Sequence, residues 1–437
     1  MRVLFVSGEL IAGDLAYQLK KEGCDVRLYI EDESRKDCLD GMVEKTNDWR
    51  KELKWVGKDG LIVFDDVGYG EDQDKLRKEG YRVVGGSVGG DRLEEKRHYA
   101  QKIFSVCNIG VTDCTDFTDL KKAIAFVRKN KGEWVIKQSG HLSMLNYVGR
   151  LKSGKDVINV LNNYAKNKSH ISGINQISLQ KKVTGIEIGI ARYFNGKDWV
   201  GPIEFNIEHK SLFNGDIGPM TGEMGTVMWY DDNEENKLFK ATLYKIKPYL
   251  KKVGFKGDFD IGFIINGQTL HPLEATCRFG CPSTQLQAEL HLSPWNEFLS
   301  AVARGEPYGL KYKKGFGVIV SVSIPPFPYK GIHSDYYLKG VDILFKEKLT
   351  EKELSQLHFE EVAIRKNKNS KKPCYCIAGS NGYNLYVSGF GKTVEEAREE
   401  AYAVINKLVI PKMFYRTDIG LKFIQEDQKK LKKWGWI

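Results

Sequence analysis

The chain has 437 residues, 41% of them hydrophobic and 28% charged, with a formal net charge of +10. This length allows roughly two to four domains and an ample core. The composition is that of an ordinary globular protein and excludes a disordered or collagen-like chain. The positive charge is spread along the sequence and is densest at Lys366–Lys372 and near the C-terminus. It reads as solvated surface charge or as attraction for anionic substrates such as phosphates. No RNA- or DNA-binding motif accompanies it, so no nucleic-acid partner is expected. No apolar stretch reaches the roughly 18 residues of a membrane span, so no membrane partner is expected either. The cysteines are scattered without zinc-site spacing and fit a reducing cytosol. MRVLFVSGEL reads as a first strand and not a signal peptide, so the cytoplasm is the expected location.

From Met1 to about Glu95 strand and helix patterns alternate: RVLFVS, AGDLAYQLKKEG, CDVRLYIED, WRKELKWV, GLIVFDDV, DQDKLRKEG and YRVVGGSVGG. Such alternation predicts a doubly wound parallel sheet. Its first strand-to-helix turn, Ser7 to Gly13, contains Gly8 and Glu9 and lies where such sheets bind ligands. It lacks the full dinucleotide fingerprint, and a helix N-terminus holding a small phosphate is the better reading. Gly85 to Gly90 is either an interdomain turn or a backbone nest for an anion. One helix, DRLEEKRHYAQKIFSVC, is predicted next.

A small α+β unit follows from Thr112 to Lys182: a helix at Asp119–Lys129, the strand WVIKQSG carrying Lys137, a loop from His141 to Gly149, a helix around Val157–Lys166, and the strand INQISLQKKV. Beyond Gly185 the chain is strand-rich. GDFDIGFII and LHPLEAT form a hairpin about Asn266-Gly267, a strong turn signal. Asp258 and Asp260 share one strand face. The turn brings Asp260 toward Glu274, with Arg278 four residues on. Two carboxylates and an arginine suit Mg²⁺ and a triphosphate, hard oxygen ligands for the metal and a bidentate cation for phosphate. A structural ion-pair cluster gives the same pattern. His291–Arg304 reads as a helix. The remainder carries the strands GVIVSVSIP, KPCYCIAG and YNLYVSGFG, a helix from Thr393 to Val409 with Thr393 and Glu396 as its capping box, and a Lys-rich helix after Asp418.

Six segments together resemble the phosphoribosylamine–glycine ligases of the ATP-grasp superfamily: LEEKRHYAQKIF, WVIKQSG, VTGIEIG, EHKSLFNGDIGPMTGEMGT, LEATCRFGCPSTQ and GFGKTVEEAREEAY…MFYRTDIG. The resemblance implies three parts. These are an N-terminal α/β acceptor-binding domain over 1–95, an ATP-grasp domain over 96–322 with its lid at about 115–183, and a C-terminal α+β domain over 323–437. It implies an ATP- and Mg²⁺- (or Mn²⁺-) dependent ligase, monomeric by precedent. Such an enzyme phosphorylates glycine to an acyl phosphate, which the amine of phosphoribosylamine then attacks, a step of purine biosynthesis.

The resemblance also implies residue roles. Lys137 and Arg97 become phosphate cations, Arg97 standing where the family has Lys. Gln180, Lys182 and Val183 lie on the hinge that reads adenine, and Glu187 accepts from the ribose hydroxyls. Asp216, Gly218 and Gly222 form the acceptor and amino-acid loop, Gly8 and Glu9 lie in the N-terminal acceptor turn, Glu274 and Asp260 hold the metal, and Arg278 stabilises the transferring phosphoryl group. The chain departs from the family at the lid loop 138–149, at Thr276 (family Asn), at Cys281 and Ser283 (family acids), and at Met220 and Glu223. These departures leave two other readings: a paralogue that ligates an amino acid to a different amine, and a nucleotide-binding protein without ligase activity.

Overall fold

A computed structural model describes residues 1–138, 146–167, 177–329, 338–366 and 373–437. The lid-loop departure, apart from Gln138 and the stretch from Asn146 onward, lies outside them.

The apolar runs of the first segment form a five-stranded parallel sheet in the order β3-β2-β1-β4-β5. Its strands are β1 (Arg2–Ser7), β2 (Asp25–Ile30), β3 (Glu44–Lys45), β4 (Leu61–Phe64) and β5 (Val83–Val84). Every residue of β4 is buried, as a strand covered on both faces requires. The helix α1 (Gly13–Lys21) follows β1. Two expected helices differ. Only Leu53–Val56 of WRKELKWV is helical. The long helix after the glycines is two, Val88–Glu95 and Arg97–Val106, broken where Lys96 leaves helical torsions (φ −114°, ψ 85°).

A four-stranded antiparallel sheet, ordered β6-β9-β7-β8, follows: β6 (Cys114–Phe117), β7 (Trp134–Gln138), β8 (Tyr147–Val148) and β9 (Ile177–Lys181). It has its own core, in which Ile136 and Leu179 meet Val127, Val157 and Leu161 of two covering helices.

The central element is an eight-stranded antiparallel sheet. It is built from β10 (Ile186–Asn195), β11 (Trp199–Glu208), β14 (Gly225–Asp231), β15 (Lys256–Asn266), β16 (Thr269–Thr276), β17 (Phe316–Ser323) and the strands Tyr383–Gly391 and Leu357–Phe359. A small hairpin, β12 (Ser211–Phe213) with β13 (Ile217–Met220), projects from it. The last strands continue the same hydrogen-bonded ladder, so the sheet crosses the expected border at 322/323. One face of β15 is apolar (Phe259, Ile261, Phe263, Ile265, all fully buried). Residues directly opposite each other share a face. Gly262 faces Glu274 and Gly189, Asp260 faces Thr276, and Gly189 faces Asn206. The other face is therefore polar, carrying Glu187, Asn206, Asp260 and Glu274.

A helix at Ser283–Leu290 was not predicted, and the next one starts at Trp295, after Pro294, instead of at His291. A proline disfavours helical torsions in the residue before it, which delays the start. Thr393 caps its helix by accepting from the Glu396 N–H, but the Glu396 carboxylate turns back to the Lys392 N–H; the closed capping box is Thr350/Glu353. All eight cysteines are free thiols. Among the described residues no helix is long and apolar enough to cross a membrane.

Candidate active site

A cleft of about 570 Å³ lies where the small sheet, the polar face of the large sheet and the first turn of the parallel sheet converge. Arg97, Lys137, Gln180, Lys182, Val183, Glu187, Gly222, Glu274, Arg278 and Glu9 line it. These ten positions, proposed from widely separated segments, share one cavity; Gly8, Asp216, Gly218 and Asp260 do not line it. Its centre is Glu274. Arg97 Nη2 lies 3.1 Å from the Glu274 carboxylate and Lys210 Nζ 3.6 Å. Burial alone would raise the Glu274 pKa, but Lys210, Lys137 and Arg97 hold it well below the usual range. Lys137 is pushed down by burial and by its like-charged neighbours Arg97 and Lys210. Arg97, Lys137 and Lys210 converge on Glu274, an arrangement that can meet an anion and also offers a metal ligand.

Lys210 was not assigned a role from sequence. It bridges Glu187 (2.8 Å), Glu208 (2.8 Å) and Glu274, and these carboxylates raise its pKa well above normal against the effect of burial. The EHK string that contains it was the available signal. The missed Glu94 pins the other wall: it accepts from Arg278 Nε (2.8 Å) and the Cys277 N–H (2.7 Å). Arg278 Nη1 donates to the Phe279 carbonyl at 2.9 Å, which leaves Nη2 as the end these contacts do not engage.

Asp260 lies behind Glu274 on the same face, on the diagonal through Gly262, about 7 Å away by strand geometry. It does not line the cavity. Asn206 Nδ2 donates to it at 2.7 Å. Burial, and then Glu208, raise its pKa well above normal, the condition a bound cation would relieve. Among the described residues no three His, Cys, Asp or Glu form a ready-made metal cage.

The structure corrects three expectations. Asp216 is outside the cavity: its carboxylate is 53% exposed and pairs with Arg416 at 2.9 Å, so it already holds a cation. Gly218, in the same hairpin, is also outside it. Of the two glycines expected here Gly222 reaches the cleft, together with its neighbours Met220, Thr221 and Glu223, and it lies beside Tyr383, whose hydroxyl would crowd an added Cβ. The Ser7–Gly13 turn does not offer a free helix N-terminus. Asp65 Oδ2 accepts from the Ala12 N–H (2.9 Å) and the Ser7 hydroxyl (2.8 Å), and the Asp66 carboxylate would crowd a Cβ added at Gly8. In the Gly85–Gly90 turn the Gly86 N–H bonds Gln73, and Ser87 caps the next helix through the Gly90 N–H.

His209, beside Lys210, gives a pH test. It is buried, accepts from the Gly420 N–H at Nε2 (3.1 Å), and has a pKa lowered from 6.5 to about 4 by burial and then by Arg416. A depressed value means that the neutral form is the native one. Its stabilisation is present above pH 6.5 and is lost as pH falls toward 4, because the unfolded chain takes a proton first. At about 1.4 kcal/mol per unit this amounts to roughly 3 kcal/mol. His209→Gln should therefore show a Tm deficit against wild type that shrinks from pH 7 to pH 4. A deficit constant across that range would contradict the assignment.

Residues 95–284 match the family described as phosphoribosylglycinamide synthetase, ATP-grasp (A) domain. A phosphoribosylamine–glycine ligase of Halalkalibacterium halodurans is 24% identical over 369 residues, spanning 81% of this chain and 79% of its own. Among solved structures, phosphoribosylamine–glycine ligase of Thermotoga maritima aligns with a TM-score of 0.71 at 21% identity, covering 96% of this chain and all of its own. A biotin carboxylase of Campylobacter jejuni, solved as a complex with β-γ-ATP, aligns at 0.63 and 12% identity, covering 99% and 98%. At these identities the structural likenesses show the fold.

Proposed function

We propose that this ATP-grasp chain, a relative of the phosphoribosylamine–glycine ligases, is an ATP-dependent ligase that forms a C–N bond between a carboxylate and an amine. The observation that carries the proposal is Glu274, surrounded by Arg97, Lys137 and Lys210 on the floor of a cleft between two sheets. The cations would offset part of the charge of a triphosphate, and Glu274, with Asp260 behind it, would hold a divalent ion, Mg²⁺ or Mn²⁺, which would neutralise more of it. Gln180, Lys182 and Val183 border the end of the cleft suited to adenine, and Glu187 can accept from ribose hydroxyls.

The chemistry follows from that placement. A carboxylate oxygen of the substrate attacks the γ-phosphorus; the new O–P bond forms as the bond to ADP breaks. Arg278, which lines the cavity, lowers the energy of the charge that builds on the transferring group. The amine then forms a C–N bond to the acyl carbon, the C–O bond breaks, and inorganic phosphate leaves with one proton released from the nitrogen. The small sheet covers the nucleotide and keeps water from the mixed anhydride.

Glycine with 5-phosphoribosylamine, the pair in the relatives' name, is the reference pair. A second reading, the same chemistry on another amine, is favoured by Cys281, Met220 and Glu223 at the far end of the cleft. The ligase reading is tested by incubating the protein with ATP, Mg²⁺, glycine and hydroxylamine, which captures an acyl phosphate as a hydroxamate. ADP and hydroxamate in equal amounts are expected. ATP binding without either product would leave a nucleotide-binding protein and refute the ligase. A monomer in the cytoplasm is the accompanying expectation.

A further inference from the structure

The strand end that carries Glu274 and Arg278 is held by two residues only three positions apart. Glu94 lies in the last turn of the helix Val88–Glu95 and Arg97 opens the helix Arg97–Val106, on either side of the break at Lys96. Arg97 Nη1 donates to the Leu273 carbonyl at 2.9 Å, and its Nη2 reaches the Glu274 carboxylate. Glu94 Oε2 accepts from the Cys277 N–H at 2.7 Å, and its Oε1 accepts from Arg278 Nε at 2.8 Å. Each of the two thus grips the backbone of the strand end together with one of the two side chains that the proposed reaction uses.

Glu94 borders the cavity, but each of its oxygens already accepts a bond from the protein. What it determines is the orientation of Arg278. A guanidinium is a rigid plane, so bonds at Nε and Nη1 fix where its remaining N–H groups point. Glu94 holds Nε, and the Phe279 carbonyl holds Nη1 at 2.9 Å. The competing anchor is Asp66, just beyond β4, 3.6 Å from Nε. Burial alone would lower the Arg278 pKa; Glu94 and then Asp66 raise it above normal, so the guanidinium stays charged. Without Glu94, Asp66 is the carboxylate left to draw Nε, and the plane turns about the Phe279 bond. The Cys277 amide loses its acceptor at the same time.

We propose that Glu94 is a positioning residue for phosphoryl transfer: it acts through Arg278 and, with Arg97, sets that guanidinium relative to Glu274. The inference rests on the ligase reading, in which Arg278 serves the transferring phosphoryl group. Its consequence is specific. ATP affinity, which draws on Arg97 and Lys137, survives the loss of Glu94, and the rate of transfer does not.

The experiment measures ADP formation by the full chain with ATP, Mg²⁺, glycine and hydroxylamine, and ATP binding by calorimetry. The proteins are wild type, Glu94→Gln, Arg278→Lys and the double variant. The amide of Glu94→Gln keeps one acceptor and sets an N–H against the other donor, so it cannot hold both Arg278 and the Cys277 amide. The kcat should fall by about 10–100-fold, the scale of misplacing one group by about 1 Å, with the Kd for ATP within about threefold of wild type. Arg278→Lys lacks the guanidinium plane, so adding Glu94→Gln to it should cost less than about threefold more. Glu94→Asp, which keeps both acceptors but draws them back by one methylene, carries the same comparison if the amide variant does not fold. A wild-type kcat in the Glu94 variant, a weaker Kd for ATP that accounts for the whole loss, or an equal fold-loss in both backgrounds would overturn the inference while the ligase reading stands. No ADP and no hydroxamate from wild type would overturn both.

Discussion

Glu274→Ala should lower Mg²⁺-dependent turnover by roughly 10²–10³-fold, the scale of losing one electrostatic group at a developing charge. The fold should persist, because the Glu274 side chain is 40% exposed to the cleft and fills no part of the core. Metal-free ATP should bind at least as tightly as to wild type. The substitution removes the carboxylate that balances Arg97 and Lys137, so these two become available to phosphate while Lys210 stays paired with Glu187 and Glu208. Calorimetric titration with ATP, with and without Mg²⁺, separates these effects. Wild-type turnover in the variant would remove Glu274 from the metal.

Lys210→Met should have the second-largest effect. The ammonium is the shared partner of Glu187, Glu208 and Glu274. Without it, Glu187 and Glu274 face the cavity that is to receive a triphosphate with no ammonium between them, and kcat/KM for ATP should fall by about 10²-fold or more. Removing one member of a buried charge set also destabilises the chain, although the 23% exposure of Lys210 and water in the cleft reduce the loss. Mg²⁺ replaces part of the missing positive charge, so it should raise the Tm of the variant more than that of wild type. An equal Mg²⁺ shift in the two proteins would place the metal away from these acids.

The large features of the fold were legible in sequence because they rest on periodicity. Alternating strands and helices gave the parallel sheet, and Asn266-Gly267 gave the hairpin that carries Asp260 and Glu274. Features decided by long-range partners were not legible. Nothing near Arg35 announces Glu360, which lies 325 residues away. Asp216 sits in a loop whose pattern suggests a binding acid, yet Arg416, 200 residues on, takes its carboxylate. The Ser7–Gly13 turn has the spacing of an anion site, and only the fold shows that Asp65 fills it. Lys210 could have been read from its string, but its importance lies in three acids brought together by β10, β11 and β16.

The central claim is that Glu274, with Asp260 behind it, holds a divalent ion beside cations that grip the phosphates. A crystal structure with Mg²⁺ and a non-hydrolysable ATP analogue tests this most directly. The account predicts a metal bonded to a Glu274 oxygen at about 2.1 Å and to β- and γ-phosphate oxygens, with Lys137 and Arg97 on the phosphates. A metal bound elsewhere, or phosphates lying away from Lys137 and Arg97, would contradict it.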